Sequence, residues 1–292
     1  MHVVTILSNP NEPHLEASLL DSLRNAWGGD DVVWLAPSQA AEFEIPQLPD
    51  NRWDVWGDVQ RMGLDMVVQP VEGRQKKMLL ADMDSTMIQQ ECIDELADEA
   101  GVGERVASIT ARAMNGELDF EGALLERVGL LKGLQESVID KVLADRITLM
   151  PGGRELIATM KAAGGYAALV SGGFTAFTRQ VAKDLGFDEN HANILLVEDG
   201  VLTGDVARPI LGREAKVAAL ERISKHLQIE ESDVIAVGDG ANDLGMLGRA
   251  GTGVALHAKP TVAAQCDVRI NFGDLTSLLY IQGYAKHEFA TS

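Results

Sequence analysis

Cysteine, aromatic residues, positive charge and long apolar runs are all scarce in this chain. Two cysteines in 292 residues, Cys92 and Cys266, are too few for a disulfide framework. They are expected as packed thiols of a reducing compartment. Against 44 Asp and Glu there are only 25 Lys and Arg, a formal net charge of -19. That field repels nucleic-acid phosphates and anionic bilayers, which argues against both as partners. No apolar run approaches the ~18 residues of a membrane span, and the opening MHVVTILSNPNEP lacks the basic n-region of a secretory signal. A soluble cytoplasmic protein is therefore expected. Because the global field opposes anions, an anionic small substrate would need a local pocket of positive charge.

What is present is an ordinary globular composition, 46% hydrophobic and 24% charged, long enough for one large domain or two smaller ones. Residues 1–75 read as a separate small α+β unit, ferredoxin-like or ACT-like: strand HVVTIL, a helix from PHLEASLLDSLRNAW, strand DVVWLA, polar turns around Pro46 and Pro49, helical WDVWGDVQRMG and strand DMVVQP. Trp27, Trp34, Trp53 and Trp56 all fall here and are read as core or interdomain contacts rather than a ligand cage. From residue 76 the pattern changes to strands that end in Gly, Asp or Ser and lead into helices: KKMLLAD into DST, YAALV into SGG, DVIAVG into DGAND, GTGVAL into HAKP. Such alternation implies βαβ units and a parallel sheet covered on both faces, a Rossmann-like α/β core over 76–87 and 151–292. Asp199-Gly200, between two β-rich runs, reads as a hairpin turn. Residues 88–150 show instead four successive helical patterns, with Ile88, Cys92 and Leu96 on one face of the first and Leu124, Val128 and Leu131 on one face of the third. They predict a four-helix bundle inserted after the first core strand, placed to act as a lid.

Ligands of open parallel sheets bind at the carboxyl ends of the strands. The polar residues there are Asp82, Asp84 and Thr86, then Ser171-Gly172-Gly173, then Asp239, Asn242 and Asp243, with Lys216 on an intervening helix. Asp82, Asp239 and Asp243 offer hard oxygen ligands suited to Mg²⁺, and without a cation they would raise one another's pKa. A serine and two glycines at a strand end make an oxyanion cradle, to which Lys216 adds a point charge. An aspartate in that setting can attack phosphorus, and a second one two residues on can protonate the leaving alcohol and then deprotonate water. The residues by themselves lead to a Mg²⁺-dependent phosphomonoesterase with a lid. A phosphotransferase, a phosphatase for another small ester, and a phosphoacceptor signalling module all remain open.

The motifs DMDST, SGGF, Ala215-Lys216 and GDGAND resemble the four motifs of the haloacid dehalogenase-like phosphohydrolases. The longer stretches DMDSTMIQQECIDELADEAG, AMNGELDFEGALLERVGLLKGL and GDGANDLGML resemble the phosphoserine phosphatases, over roughly 76–285. By that resemblance Asp82 is the nucleophile and Asp84 the general acid/base. Ser171, Gly172, Lys216 and Asn242 hold the phosphate, and Asp239 and Asp243 bind Mg²⁺ together with Asp82 and the carbonyl of Asp84. The inserted bundle matches the helical cap of the family. In it Glu91 and Arg127 contact the amino and carboxylate groups of phosphoserine, beside Met114 and Phe120. One anionic and one forked cationic side chain suit an amino acid. The resemblance further implies hydrolysis of O-phospho-L-serine through an aspartyl-phosphate, as the last step of L-serine biosynthesis. For the N-terminal unit it suggests serine sensing; a structural or dimerising module, making the protein a homodimer, is the alternative.

Overall fold

The computed structural model describes residues 1–290, apart from 115 and 116 and the side chain of Met114. The N-terminal segment runs β1 (His2–Ser8), α1 (Ala17–Trp27), β2 (Val33–Ala36), β3 (Ala40–Ile45), α2 (Arg52–Arg61) and β4 (Leu64–Pro70), in an antiparallel sheet of order β2-β3-β1-β4. This βαββαβ order is ferredoxin-like. The sequence pattern missed β3, because AAEFEI carries two glutamates and runs into the prolines that were read as turns. The structure buries Glu42 in mid-strand, where Arg74 donates to it through both Nη atoms at 2.6 and 2.9 Å and offsets its charge.

Strand β5 (Met78–Ala81) opens the second sheet and is followed by four helices, α3 (Cys92–Glu99), α4 (Gly103–Met114), α5 (Phe120–Gly129) and α6 (Ser137–Asp145). Each buries one apolar face: Cys92, Ile93, Leu96 and Ala97 on α3, and Ala123, Leu124 and Val128 on α5. The two ends of this segment are tied together, since Ile88 and Leu149 form an antiparallel bridge and Gln89 N–H donates to the Thr148 carbonyl at 2.9 Å. Then come α7 (Gly153–Ala162), β6 (Tyr166–Phe174), α8 (Thr175–Leu185), β7 (Glu189–Asn193), the hairpin β8 (Leu195–Glu198) and β9 (Val201–Val206), and α9 (Arg213–Leu227). The chain closes with β10 (Val234–Gly238), α10 (Leu244–Arg249), β11 (Thr252–Leu256), α11 (Pro260–Ala263), β12 (Val268–Ile270) and α12 (Ser277–Ile281).

Six parallel strands stand in the order β12-β11-β10-β5-β6-β7. MLLA of β5 and VIAVG of β10 are buried throughout, as strands covered on both faces must be. The chain builds outward from β5 to β6 and β7, then returns to the other side of β5 with β10. The strand ends of β5 and β10 thus form a topological switch point, where such sheets bind ligands. The outer strands β7 (ENHAN) and β12 (VRI) are too polar or too short to stand out in the sequence. Asp199 and Gly200 both take positive φ, 51° and 77°, as a two-residue hairpin turn requires.

Asp65 of β4, fully buried, accepts main-chain N–H donors from Asn271, Phe272 and Gly273, each at 2.9 Å, and Gln69 Nε2 donates to the Ile281 carbonyl at 2.5 Å. Leu7, Leu35, Ala36, Ala40 and Val67 of the antiparallel sheet join the same apolar cluster as Leu278, Leu279 and Tyr280. Both cysteines are buried free thiols. Of the tryptophans, Trp53 and Trp56 of α2 meet Arg269, which follows β12's first residue, at 4.1 and 5.0 Å from their ring centres. Trp34 is exposed on the outer strand β2, so a core or contact role does not extend to it. Among the described residues no helix is long and apolar enough to cross a membrane.

Candidate active site

Asp82 follows directly on β5, held there by its N–H donating to the Val237 carbonyl of β10 at 3.0 Å. Asp239 follows β10, and Asp243 sits at the N-terminus of α10. One carboxylate oxygen from each of Asp82, Asp239 and Asp243 lies within 4.8 Å of the other two. Lys216, on the first turns of α9 and only 1% exposed, places Nζ 2.6 Å from Asp82 Oδ1 and 2.5 Å from Asp243 Oδ1. A buried lysine reads as a mistake in a helix pattern until the two carboxylates facing it are seen. Burial alone would lower its pKa; the Asp82 and Asp243 charges outweigh that and hold it raised and cationic.

One cation does not balance three acids. Burial, and then the Asp243 charge, push Asp82 well above the carboxylate range despite Lys216. Burial followed by the Asp243 and Glu91 charges carries Asp239 to about 6, with Thr86 Oγ1 donating to Asp239 Oδ1 at 3.3 Å. Asp82 Oδ1 is buried with no hydrogen-bond partner beyond the ion pair. An excess of clustered carboxylates over cations fits a hard divalent cation, whose charge relieves the repulsion.

Asp84 stands two residues on, half-buried, its Oδ1 accepting the Cys92 N–H at the start of α3 at 3.2 Å. Burial, and then the charge of Glu91, raise it to about 7, so it both gives and takes a proton near neutrality. Across from it lies the end of β6, where pairing with β7 is irregular between Val170 and Phe174. Ser171 Oγ accepts the Gly173 N–H at 2.9 Å, and a Cβ on Gly173 would stand 2.7 Å from Asp84 Oδ2. Only glycine allows the acid and the serine hydroxyl to flank this backbone so closely. Asn242 is half-buried in the GDGAND turn, its Oδ1 packed over Gly240.

The helical segment reaches the same place. Asp119 caps α5 by accepting the Gly122 N–H at 2.7 Å, which fixes Phe120 as the first helical residue. The Phe120 ring lies over two bare backbones, 3.0 Å from where a Cβ would stand on Gly172 or on Gly212. Glu91 precedes α3 and accepts from Ser85 Oγ at 2.7 Å; it keeps solvent access in a recess of protein that raises its pKa. Arg127 of α5 donates from Nε to the Ala123 carbonyl at 3.2 Å, which leaves its outer nitrogens free of that bond. Burial lowers its pKa, opposed by Asp94, Glu91 and Asp84, so its charge is felt by the acids of the site. Met114 ends α4, and its side chain lies outside the described residues.

Sequence reading did not single out Asn193, at the end of β7 and 2% exposed. Its Nδ2 donates to the carbonyls of Gly172 at 2.8 Å and Leu211 at 3.1 Å, and its Oδ1 accepts the Leu211 N–H at 2.7 Å. It ties the Ser171-Gly172 end of β6 to the segment that leads into the Lys216 helix. No local signal marks it, because its partners come from two other segments. Ser85 also went unnoticed: it holds φ of 54°, a left-handed strain at the turn between Asp84 and Glu91.

A buried carboxylate just after β5, a neutral-range acid two residues on, a lysine and two further carboxylates across the switch point make a centre of the phosphohydrolase type. The haloacid dehalogenase-like hydrolase family model matches residues 79–248, and the chain belongs to that family, on its phosphoserine phosphatase branch. It is 38% identical to a phosphoserine phosphatase of Streptomyces coelicolor, over 98% of this chain and 71% of that one. To a phosphoserine phosphatase of Streptococcus thermophilus it is 47% identical, over 70% of this chain and 95% of the relative. Among solved structures it resembles a HAD family hydrolase of Salmonella enterica serovar Typhi with a TM-score of 0.87 at 29% identity, over 97% of this chain and 99% of that one.

Proposed function

We propose that the protein hydrolyses O-phospho-L-serine to L-serine and phosphate through an aspartyl-phosphate on Asp82, as the last step of L-serine biosynthesis in the cytoplasm. The observation that carries the chemistry is the pairing of buried Asp82, beside Lys216 at 2.6 Å, with Asp84, whose pKa lies at about 7. The relatives' names carry the substrate.

Asp82 attacks phosphorus while the bond to the serine oxygen breaks, and protonated Asp84 gives its proton to that oxygen. Asp84, now a carboxylate, takes a proton from the water that attacks the phosphorus next; the Asp82–phosphorus bond breaks and phosphate leaves. Ser171, Gly172, Asn242 and Lys216 hold the phosphoryl oxygens, and Asn193 keeps the Gly172 backbone in place for them. Mg²⁺, held by Asp82, Asp239, Asp243 and the Asp84 carbonyl, supplies charge neutralisation at the phosphoryl group when bound. Glu91 takes the ammonium and Arg127 the carboxylate of the amino acid, with Phe120 and Met114 on its apolar side.

In this reading residues 88–150 act as a lid over a core of 76–87 and 151–292, and residues 1–75 form an accessory unit that can also dimerise the protein. The contact of Phe120 with Gly172 and Gly212 supports a lid that closes on the phosphate turn. The test is rapid-quench mapping of labelled phosphoserine during turnover. A hydroxylamine-sensitive label on the peptide containing Asp82, absent from Asp82→Asn, is the expected result. Turnover with the label on another residue would refute the assignment.

A further inference from the structure

Away from this site, a cavity of about 640 Å³ lies between the antiparallel sheet and the end of α10, within the size range of small-molecule pockets and at the kind of junction they favour. We infer that it binds a small aryl anion, a planar apolar body carrying a carboxylate, sulfonate or phosphate group.

Two features of the lining lead there. Trp53 and Trp56 form one wall in edge-to-face contact, centres 5.9 Å apart and planes at 73°, and Arg269 holds both rings in place from the parallel sheet. The second feature is charge. Among the described residues Arg52 forms no salt bridge, and its guanidinium lies 5.3 Å from the centre of the Trp53 ring. Lys76 is half-buried, its Nζ donating to the Ser232 carbonyl at 2.7 Å; it forms no salt bridge among the described residues, and burial draws its pKa down against the opposing charge of Asp233. An anion would pair both cations. The acidic lining residues Glu72 and Asp267 are solvent-exposed, where water screens them.

The opposite wall gives the cavity a line to the catalytic residues. It is formed by Leu247 of α10 and the backbone of Gly251 and Gly253, where a Cβ would collide with the Ser232 and Leu247 carbonyls. Backbones so closely packed have no slack to absorb a displacement. Helix α10 is six residues long, about 9 Å, and directly follows Asp243, the partner of Lys216. An occupant bearing on Leu247 therefore bears on the position of Asp243. This regulatory half rests on the phosphatase reading; the binding half does not.

The test titrates the full-length protein with 8-anilinonaphthalene-1-sulfonate, read by fluorescence, and with uncharged N-phenyl-1-naphthylamine as the control. One saturable site per chain is expected, with the neutral analogue bound at least tenfold more weakly. Arg52→Gln should weaken the anion about tenfold and Lys76→Gln, which removes the second lining cation, several-fold. Unchanged affinity in both variants, or equal binding of the neutral analogue, would overturn the site. At saturation the probe should alter kcat or KM for phosphoserine at least twofold in the wild type and not in Arg52→Gln. Binding without any kinetic change would overturn the regulatory half alone. Intact probe binding in a protein that does not turn over phosphoserine would count against the proposed function and leave the site standing.

Discussion

Stripping divalent cations from the protein should make its stability fall as pH rises from 5 to 8. Asp84 and Asp239 have folded-state pKa values near 7 and 6, above the ordinary 3.8. An acid whose pKa is raised by folding binds more protons folded than unfolded, so its stabilising contribution is complete below the unfolded value and is lost as pH climbs through the folded one. Between pH 5 and 8, Asp84 loses about two pH units' worth and Asp239 about one, which at roughly 1.4 kcal/mol per unit gives a drop of about 4 kcal/mol from these two, to which Asp82, also raised, adds. Acids held low by surface partners, such as Glu99 by Lys141 and Asp205 by the Val206 N–H, titrate below this window. Urea unfolding at four pH values in excess chelator measures the slope. Asp84→Asn should remove about 3 kcal/mol of the drop, and saturating Mg²⁺ should flatten it, because a cation that binds the ionised carboxylates stabilises the folded state where they are charged. A chelated protein as stable at pH 8 as at pH 5, or an Asp84→Asn variant with the wild-type slope, would refute the electrostatic account of the site.

Two further outcomes follow from buried polar groups. Lys216→Met leaves Asp82 and Asp243 facing each other without their cation; a loss of about 3–5 kcal/mol in chelator at pH 7.5 is expected from urea unfolding, partly restored by Mg²⁺, and a loss under 1 would show that the pair is not structural. Asp65→Ala strands three main-chain N–H groups of residues 271–273; it should cost about 3 kcal/mol or more and speed hydrogen exchange at those amides, and unchanged exchange there would mean the two sheets are not clasped by this carboxylate.

The parts of the fold that sequence made legible are those whose signal is local. The buried runs MLLA and VIAVG, the Asp199-Gly200 turn and the four amphipathic helices each carry their own period or turn residues. What stayed hidden depends on partners distant in the chain. Strand β3 looks polar until Arg74 neutralises Glu42, and β7 looks like loop until its place beside β6 is known. The same division runs through the site. Asp82 and GDGAND are conspicuous because strand ends rarely need so many acids, and the parallel order then brings Asp82, Asp239 and Asp243 together. Asn193 is an unremarkable amide whose work lies in joining two loops. Glu91 and Arg127 resemble surface charges on any helix; family resemblance, not spacing, distinguishes them, and their closeness to Asp84 emerges only once α3 packs beside β6 and α5 beside β9.

The most direct test is release of phosphate from L-phosphoserine by the purified protein, with Mg²⁺ and then with excess chelator. Rapid release that chelator abolishes and added Mg²⁺ restores is the predicted result. No release from a folded, metal-supplied protein would contradict the substrate assignment, and release untouched by chelator would contradict the role given to Asp82, Asp239 and Asp243.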